Sequence, residues 1–442
     1  MKNCSKKPMP ESKLQKVLKP RHLWALAVGA VCSGNYYGFS YGFETGGPGS
    51  FLLAFLPVTA MYVCFMACYM ELAVSRPSAG GASEYARRSM GGFAGFIAGF
   101  SVLVAYIVAP CAVAITTGQL LHYLVPAIPA MTATVVFFCL FVALNLLGAK
   151  SSSRFELIAT IAALAGLVLF AVVALLHFQP ERLMLDEPPA AGLSSVAAAV
   201  PFAMWFYFAV DGPIMQSEEM EDPKTGILRG YVPALVTLFI TALIDLLLPA
   251  GIADYHEIAK VDYPLARSLE LALGEGSVLP KVIAAIALFA MVASFSSIVM
   301  AFSRQAYAMG RVGYLPKLFA RLNRHGAPTF GLLIPSALAL CLCLTGKTAL
   351  MVTISVFAAL LMYALVILSN IRLYRQEPTL ERPFEIPHPV VPGIAMVLVV
   401  LLFICVLVTN LSALKWVVVV YAAASGYYLC FGRGKTAKMP HD

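Results

Sequence analysis

Charge is scarce in this 442-residue sequence. Asp, Glu, Lys and Arg make up 12% of it, roughly half the share of an average soluble chain. Hydrophobic residues make up 60%, and mean hydropathy is +0.82. This excludes a disordered, fibrous or ordinary soluble protein and leaves an integral membrane protein. No Walker or dinucleotide glycine loop occurs, so the chain is not expected to drive itself with ATP. No CxxC pair stands beside a histidine, and none of the seven histidines falls at the centre of an apolar run. A metal site, a buried histidine relay and an organic cofactor are therefore not expected. No nucleophile–base pair is evident, which counts against an enzyme. No signalling domain is appended, which counts against a non-transporting nutrient sensor. No signal peptide is expected either, because residues 1–21 are polar and basic and the first apolar run, from about Leu23, exceeds a signal h-region.

What is present fits the same picture. Of ten cysteines, Cys32, Cys64, Cys68, Cys111, Cys139, Cys341, Cys343, Cys405 and Cys430 fall in or at the ends of apolar runs and read as small buried hydrophobes. The net charge of +8 reflects basic cytoplasmic loops rather than nucleic-acid binding. About 20 apolar residues cross the ~30 Å hydrocarbon core. Twelve runs are long enough, near 22–43, 51–73, 93–121, 129–147, 157–176, 195–216, 232–252, 282–304, 329–345, 349–371, 391–408 and 414–431. Most of the 31 Lys and Arg residues fall on one side if both termini are cytoplasmic. The expectation is one multi-pass domain in the cell membrane, residues 22–431, between cytoplasmic tails 1–21 and 432–442. The lipid bilayer is its first partner. The longer outer loops are 177–194 and 253–281; the second contains YPLARSLELALGEG, an amphipathic helix ending at Gly274. Pro77 and Gly80-Gly81 precede a short basic helix on the inner side, and 303–329 is a second basic inner stretch.

Two runs are interrupted where a spanning helix should be smooth. WFYFAVDG, 205–212, is followed by Pro213 and carries Asp211. A carboxylate at membrane depth costs roughly 2.5–3.5 kcal/mol on insertion scales, and a Gly-Pro pair removes helical hydrogen bonds where no water replaces them. In the first run, Ser33-Gly34-Asn35 forms a polar, glycine-containing centre. Corresponding breaks five spans apart are the sequence mark of a transporter site. Unwound helix there exposes backbone N–H and C=O groups to a ligand. The spacing suggests two repeats inverted in the membrane, spans 1–5 (about 22–176) and 6–10 (about 195–371), with two further helices over 391–431.

Several motifs in order resemble the amino acid/polyamine/organocation transporters. Ser33-Gly34 stands where that family carries a Gly-Ser-Gly break. MELAVSRPSAGGASEYARRSMGGFAGF (70–96) is similar to its E-L…P-x-G-G…Y…G pattern. FYFAVDGPIMQSEEMEDPKTGILRG (206–230) is similar to its F-A-F-x-G-x-E…E-E…N-P segment. SRQAYAMGRVGYLPKLFARLNRHGAPT and RLYRQEPTLERPFEIP resemble its loops after spans 8 and 10. HLWALAVGAVCSGNYYGFSYG and AVPFAMWFYFAVDG are most similar to the ethanolamine permease branch. The resemblance covers about residues 20–430. It implies an all-α fold of the leucine-transporter type, with about twelve transmembrane helices in a 5+5 inverted repeat plus two. It also implies secondary transport of a small amine or amino acid by alternating access, ethanolamine first.

The site residues divide by role. Ser33, Gly34, Asn35, Trp205, Phe206, Phe208, Ala209, Asp211 and Gly212 form the expected substrate pocket. Asp211 would meet an ammonium group, cap the 213–216 turn or carry a proton. Trp205, Phe206, Tyr207 and Phe208 either cage a cation or simply pack. Coupling candidates are Asp211, Asp245, Ser296 and Ser297, with Ser294 alongside. The serines either face a cation or bond the carbonyl four residues back. Tyr36, Tyr37 and Glu71 are gate or structural candidates, and Glu44 is at the outer mouth. Some proton-coupled members carry a lysine in the fifth span. LIATIAALAGLVLFAVVALL has no basic residue, so proton, sodium, exchange and uniport modes stay open.

Overall fold

Pro20 opens the first helix, α1 (Pro20–Cys32), where its missing N–H would have had no helical partner. A computed structural model of the chain describes residues 16–147, 149–183, 192–274 and 276–432. Most of both expected tails, 1–15 and 433–442, and residues 184–191 of the 177–194 loop lie outside the described residues. From Ala25 to Cys32, α1 is buried on every side, as a uniformly apolar helix requires. It ends in a short 3₁₀ turn at Ser33–Asn35.

The chain continues as α2 (Phe39–Ser75), in which Gly46 and Gly47 leave helical geometry and bend one helix into two. Then come α3 (Ala82–Met90), α4 (Gly92–Leu124), α5 (Ala130–Asn145) and α6 (Ala149–Leu176). The second half holds α7 (Leu193–Trp205), α8 (Pro223–Ile252), α9 (Tyr255–Ile258), α10 (Pro264–Leu273), α11 (Leu279–Val312), α12 (Thr329–Cys343) and α13 (Thr348–Gln376). Helices α14 (Val390–Thr409) and α15 (Leu411–Tyr427) close the chain. The short basic helix after Gly80-Gly81 is α3. The amphipathic helix expected within 253–281 is α10, and Gly274 stops it at φ 86°, a conformation open to glycine.

Eight helices among the described residues are long and apolar enough to cross a membrane: α2, α4, α6, α8, α11, α13, α14 and α15. Three shorter apolar helices, α5, α7 and α12, lie between them. Two of the expected runs are cut short. Both α1 and α7 have 13 residues, because each stops at a polar interruption that the sequence marks. The first run, expected over 22–43, therefore splits, and its second half joins α2.

Burial sorts the helices. In α4, 78% of the apolar window is buried, against 28% in α14 and 11% in α15. The last two thus lie at the periphery, turning Val397, Val408 and Trp416 outward. Helix α1 packs on α6, α8 and α11; α4 packs on α11 and α13; α2 packs on α7 and α8. The residues at which α1 and α7 break are buried within this arrangement. No strand occurs among the described residues; Leu18 and Met220 form one isolated parallel bridge.

Candidate functional site

Both interruptions are real turns, and they touch. At the first, the N–H groups of Tyr36 and Tyr37 both donate to the Ser33 carbonyl, at 2.9 and 3.1 Å. Gly38 follows at φ 90°. A Cβ on Gly34 would lie 3.0 Å from the Trp205 carbonyl oxygen, and one on Gly38 would lie 2.9 Å from the indole. The first break is built of small residues because the end of α7 presses on it. At the second, Phe206, Tyr207, Phe208, Val210 and Gly212 donate to carbonyls three residues back. Ala209 sits at φ 68°, a left-handed conformation that costs a non-glycine residue about 1 kcal/mol or more. A 3₁₀ turn then runs over Gly212–Glu219.

Asp211 is 1% exposed. Its Oδ2 accepts from the Tyr106 hydroxyl at 2.6 Å, and its Oδ1 accepts from Tyr363 at 3.2 Å. The Tyr62 hydroxyl lies 3.0 Å from that of Tyr363. Phenols from α4 and α13 thus hold the carboxylate, with a third on α2 behind them. The capping role does not hold: the Asp211 side chain makes no hydrogen bond to the turn it precedes. Gly212 leaves room here, since a Cβ on it would sit 3.1 Å from that of Ala301 and 3.3 Å from the Tyr106 ring.

The aromatic residues of the second break divide. Trp205 stacks on Phe208 with centroids 4.9 Å apart, and Tyr37 and Tyr106 meet this pair edge-on. These four rings stand beside the Asp211 cluster. Phe206 turns the other way, stacking on Phe51 and Phe39. Tyr207 stacks on Tyr62 and bonds Thr59 at 3.0 Å. Tyr36 also leaves the group, donating to the Ala163 carbonyl of α6 at 2.6 Å. Asn35 is buried, and its Oδ1 has no hydrogen-bond partner.

Two serines of α11, Ser294 and Ser297, bond across to α1 rather than back along their own helix. Ser294 donates to the Ala30 carbonyl at 2.6 Å and accepts from Ser33 at 2.8 Å. Ser297 donates to the Leu26 carbonyl at 2.8 Å. Ser296 is buried on the same helix. Asp245 on α8 is fully buried, and neither of its carboxylate oxygens has a hydrogen-bond partner.

Glu71 is a structural junction. It accepts from Asn370 at 2.6 Å, meets His388 at 2.9 Å and has the Arg382 guanidinium 3.7 Å away. It therefore ties α2 to α13 and to the segment that follows. Glu44 is exposed. A second buried ion pair lies beyond the α7 break, where Arg304 of α11 holds Glu219 at 2.9 Å. The Glu219 carbonyl accepts the N–H groups of Val17 and Leu18.

Reading the sequence missed Tyr62, Tyr106, Tyr363 and Glu156. A lone tyrosine in an apolar helix carries no local mark of what it faces. Glu156 stands one residue before the expected start of its run at 157, so the expected bounds of that run leave it out.

A helical, multi-pass membrane protein whose two broken helices meet at a buried carboxylate has the form of a solute transporter. The family model for amino acid permeases matches residues 18–426, and the chain belongs to that family. It is 26% identical over 408 residues to an uncharacterized transporter of Rhizobium meliloti, covering 89% of this chain and 87% of that one. It is 27% identical to the branched-chain amino acid permease BcaP of Bacillus subtilis, covering 93% and 90%. It is 23% identical to the aromatic amino acid transport protein AroP of Salmonella typhimurium, covering 96% and 97%.

Proposed function

We propose that this permease is a secondary transporter of a small primary amine, working by alternating access, with ethanolamine the leading substrate. The observation that carries this is Asp211: a fully buried carboxylate at a helix break, whose side-chain partners are two tyrosines rather than a cation. An uncompensated buried carboxylate is costly, and a substrate ammonium group supplies the missing charge. Trp205, Phe208 and Tyr37 offer ring faces to the same cation. Ser33, Gly34, Asn35, Ala209 and Gly212 contribute backbone groups at the two turns, and Phe206 supports the second turn from behind. A hydroxyl on the substrate would meet the tyrosine cluster.

A second reading is an amino acid substrate. BcaP and AroP are named for branched-chain and aromatic amino acids. Such a substrate would keep its ammonium at Asp211 and place its carboxylate against the free N–H groups at the start of α2.

In the proposed architecture, twelve spans form inverted repeats over about 22–176 and 195–371 plus two peripheral helices. Both termini face the cytoplasm across the cell membrane. Spans 1, 2, 6 and 7 rock against the rest. The test is uptake by the purified chain in proteoliposomes. Labelled ethanolamine, leucine and phenylalanine are each offered, and ethanolamine uptake is challenged in turn with unlabelled ethanolamine, leucine, phenylalanine and a diamine. Competition by ethanolamine alone supports the amine reading, and competition by leucine or phenylalanine supports the second. No uptake of any of them under proton, sodium or exchange gradients would overturn the transporter reading.

A further inference from the structure

Two acidic side chains flank α1 with no hydrogen-bond partner among the described residues. Glu156 on α6 and Asp245 on α8 are both 0% exposed. None of their four carboxylate oxygens has a hydrogen-bond partner. Glu156 lies against the α1 backbone: a Cβ on Gly29 would fall 2.3 Å from its Oε1 and 2.6 Å from Thr160 Oγ1. Glycine at that position is what lets the carboxyl group approach. Helix α8, which carries Asp245, packs on α1 and on the 3₁₀ turn that follows it. Glu156 stands near the start of α6, beside the part of α1 before its break. Asp245 stands near the end of α8, beside the break itself.

We infer that Glu156 and Asp245 each carry a proton during the transport cycle, at two depths along α1. This rests on the transporter reading above. The physical ground is desolvation. An ionised carboxylate in an apolar interior with no partner is far too costly to persist. One proton on one oxygen removes the charge, and a neutral carboxyl group tolerates the site. Release requires hydration of the group, which a rocking α1 would bring first to one carboxyl and then to the other. The step is acid–base only: an O–H bond forms with a proton from water on one side and breaks to water on the other.

The surroundings offer no competing explanation. From α1 the facing titratable groups are Cys32 and, past the break, Tyr36. Helix α11 presents Ser294 and Ser297, neither ionisable. Of the basic residues, Arg154 stands two positions before Glu156 and is exposed, and Arg182 and Arg267 are engaged elsewhere. Arg182 bonds Gln179 and the Ile252 carbonyl, and Arg267 pairs with Glu257 and Glu270. A sodium ion would need several oxygens at once. The hydroxyls of Ser294 and Ser297 already point their hydrogens at the Ala30 and Leu26 carbonyls, so that seam is satisfied without one.

The test uses the purified full-length chain. Infrared difference spectra at neutral pH should contain the carbonyl stretch of protonated carboxyl groups, moved by deuterium exchange. Glu156→Gln and Asp245→Asn should each remove part of that band. Glu156→Asp should restore it. Size exclusion and thermal melting check that each variant is folded. In proteoliposomes, an inward proton gradient should drive labelled ethanolamine or leucine to accumulate in the wild type, and both neutral variants should lose that accumulation. A wild-type spectrum without the band, or one that neither variant alters, overturns the inference. Should neither probe enter wild-type vesicles, the transporter reading fails, and the infrared band alone decides whether these groups hold protons.

Discussion

Tyr106 donates its phenolic hydrogen to Oδ2 of Asp211 across 2.6 Å. The two residues are 105 positions apart, on α4 and just past α7, and both are buried. Helix α4 belongs to the buried core of the bundle, whereas the segment holding Asp211 is a strained turn. The hydrogen bond therefore ties the part of the site with unusual backbone to a rigid wall. Tyr363 of α13 does the same from the other side. In the proposed site, a carboxylate held at both oxygens would present a fixed direction to an incoming ammonium group.

Asp211→Asn should abolish amine uptake, since it keeps the shape and removes the charge. Tyr106→Phe and Tyr363→Phe should act more gently. A hydrogen bond to a charged group contributes about 1.5–3 kcal/mol, so each is expected to weaken substrate affinity by about one to two orders of magnitude. Binding isotherms of the purified variants measure this. Wild-type affinity in Asp211→Asn would remove that residue from the pocket.

Gly34→Leu should block substrate binding. Even a Cβ there meets the Trp205 carbonyl at 3.0 Å, and further methyl groups have nowhere to go. Overpacking of this kind costs about 1–3 kcal/mol, small enough for the variant to be recovered and assayed. Normal binding by a folded Gly34→Leu protein would show that the first turn is not part of the site.

Arg304→Met should strongly destabilise the chain, because it leaves Glu219 buried and unpaired, at a cost of about 3–5 kcal/mol. The double variant Arg304→Met/Glu219→Leu should recover most of the loss. Thermal melting in detergent compares them. An Arg304→Met protein as stable as wild type would show that the 2.9 Å pair contributes nothing.

Ser294→Ala breaks the chain of hydroxyls from Ser33 to the Ala30 carbonyl. The unsatisfied carbonyl should cost about 1–3 kcal/mol. Substrate affinity should be the same in sodium as in choline buffer, for wild type and variant alike. A sodium-dependent affinity lost in Ser294→Ala would reassign this seam to a cation.

Much of this was legible in the linear chain. Low charge, long apolar runs and two polar interruptions are local properties, set by what a bilayer does to exposed polar groups. They identify a helical membrane protein and mark the turns after Cys32 and Trp205. The α10 helix and its stop at Gly274 follow from equally local chemistry. Which way each side chain points does not. Phe206 and Phe208 are two residues apart in one aromatic run, yet one packs against α2 and the other stands beside Asp211. Direction within an irregular turn depends on backbone angles, such as the positive φ of Ala209, that no residue pattern announces. Tyr106, Tyr363 and Glu156 acquire meaning only through neighbours a hundred or more positions away, or on a helix that the chain reaches much later. Composition and periodicity decide that a buried carboxylate must find compensation. Only the packing of α4, α13 and α1 decides whether that compensation is a phenol, as at Asp211, or no group among the described residues, as at Glu156 and Asp245.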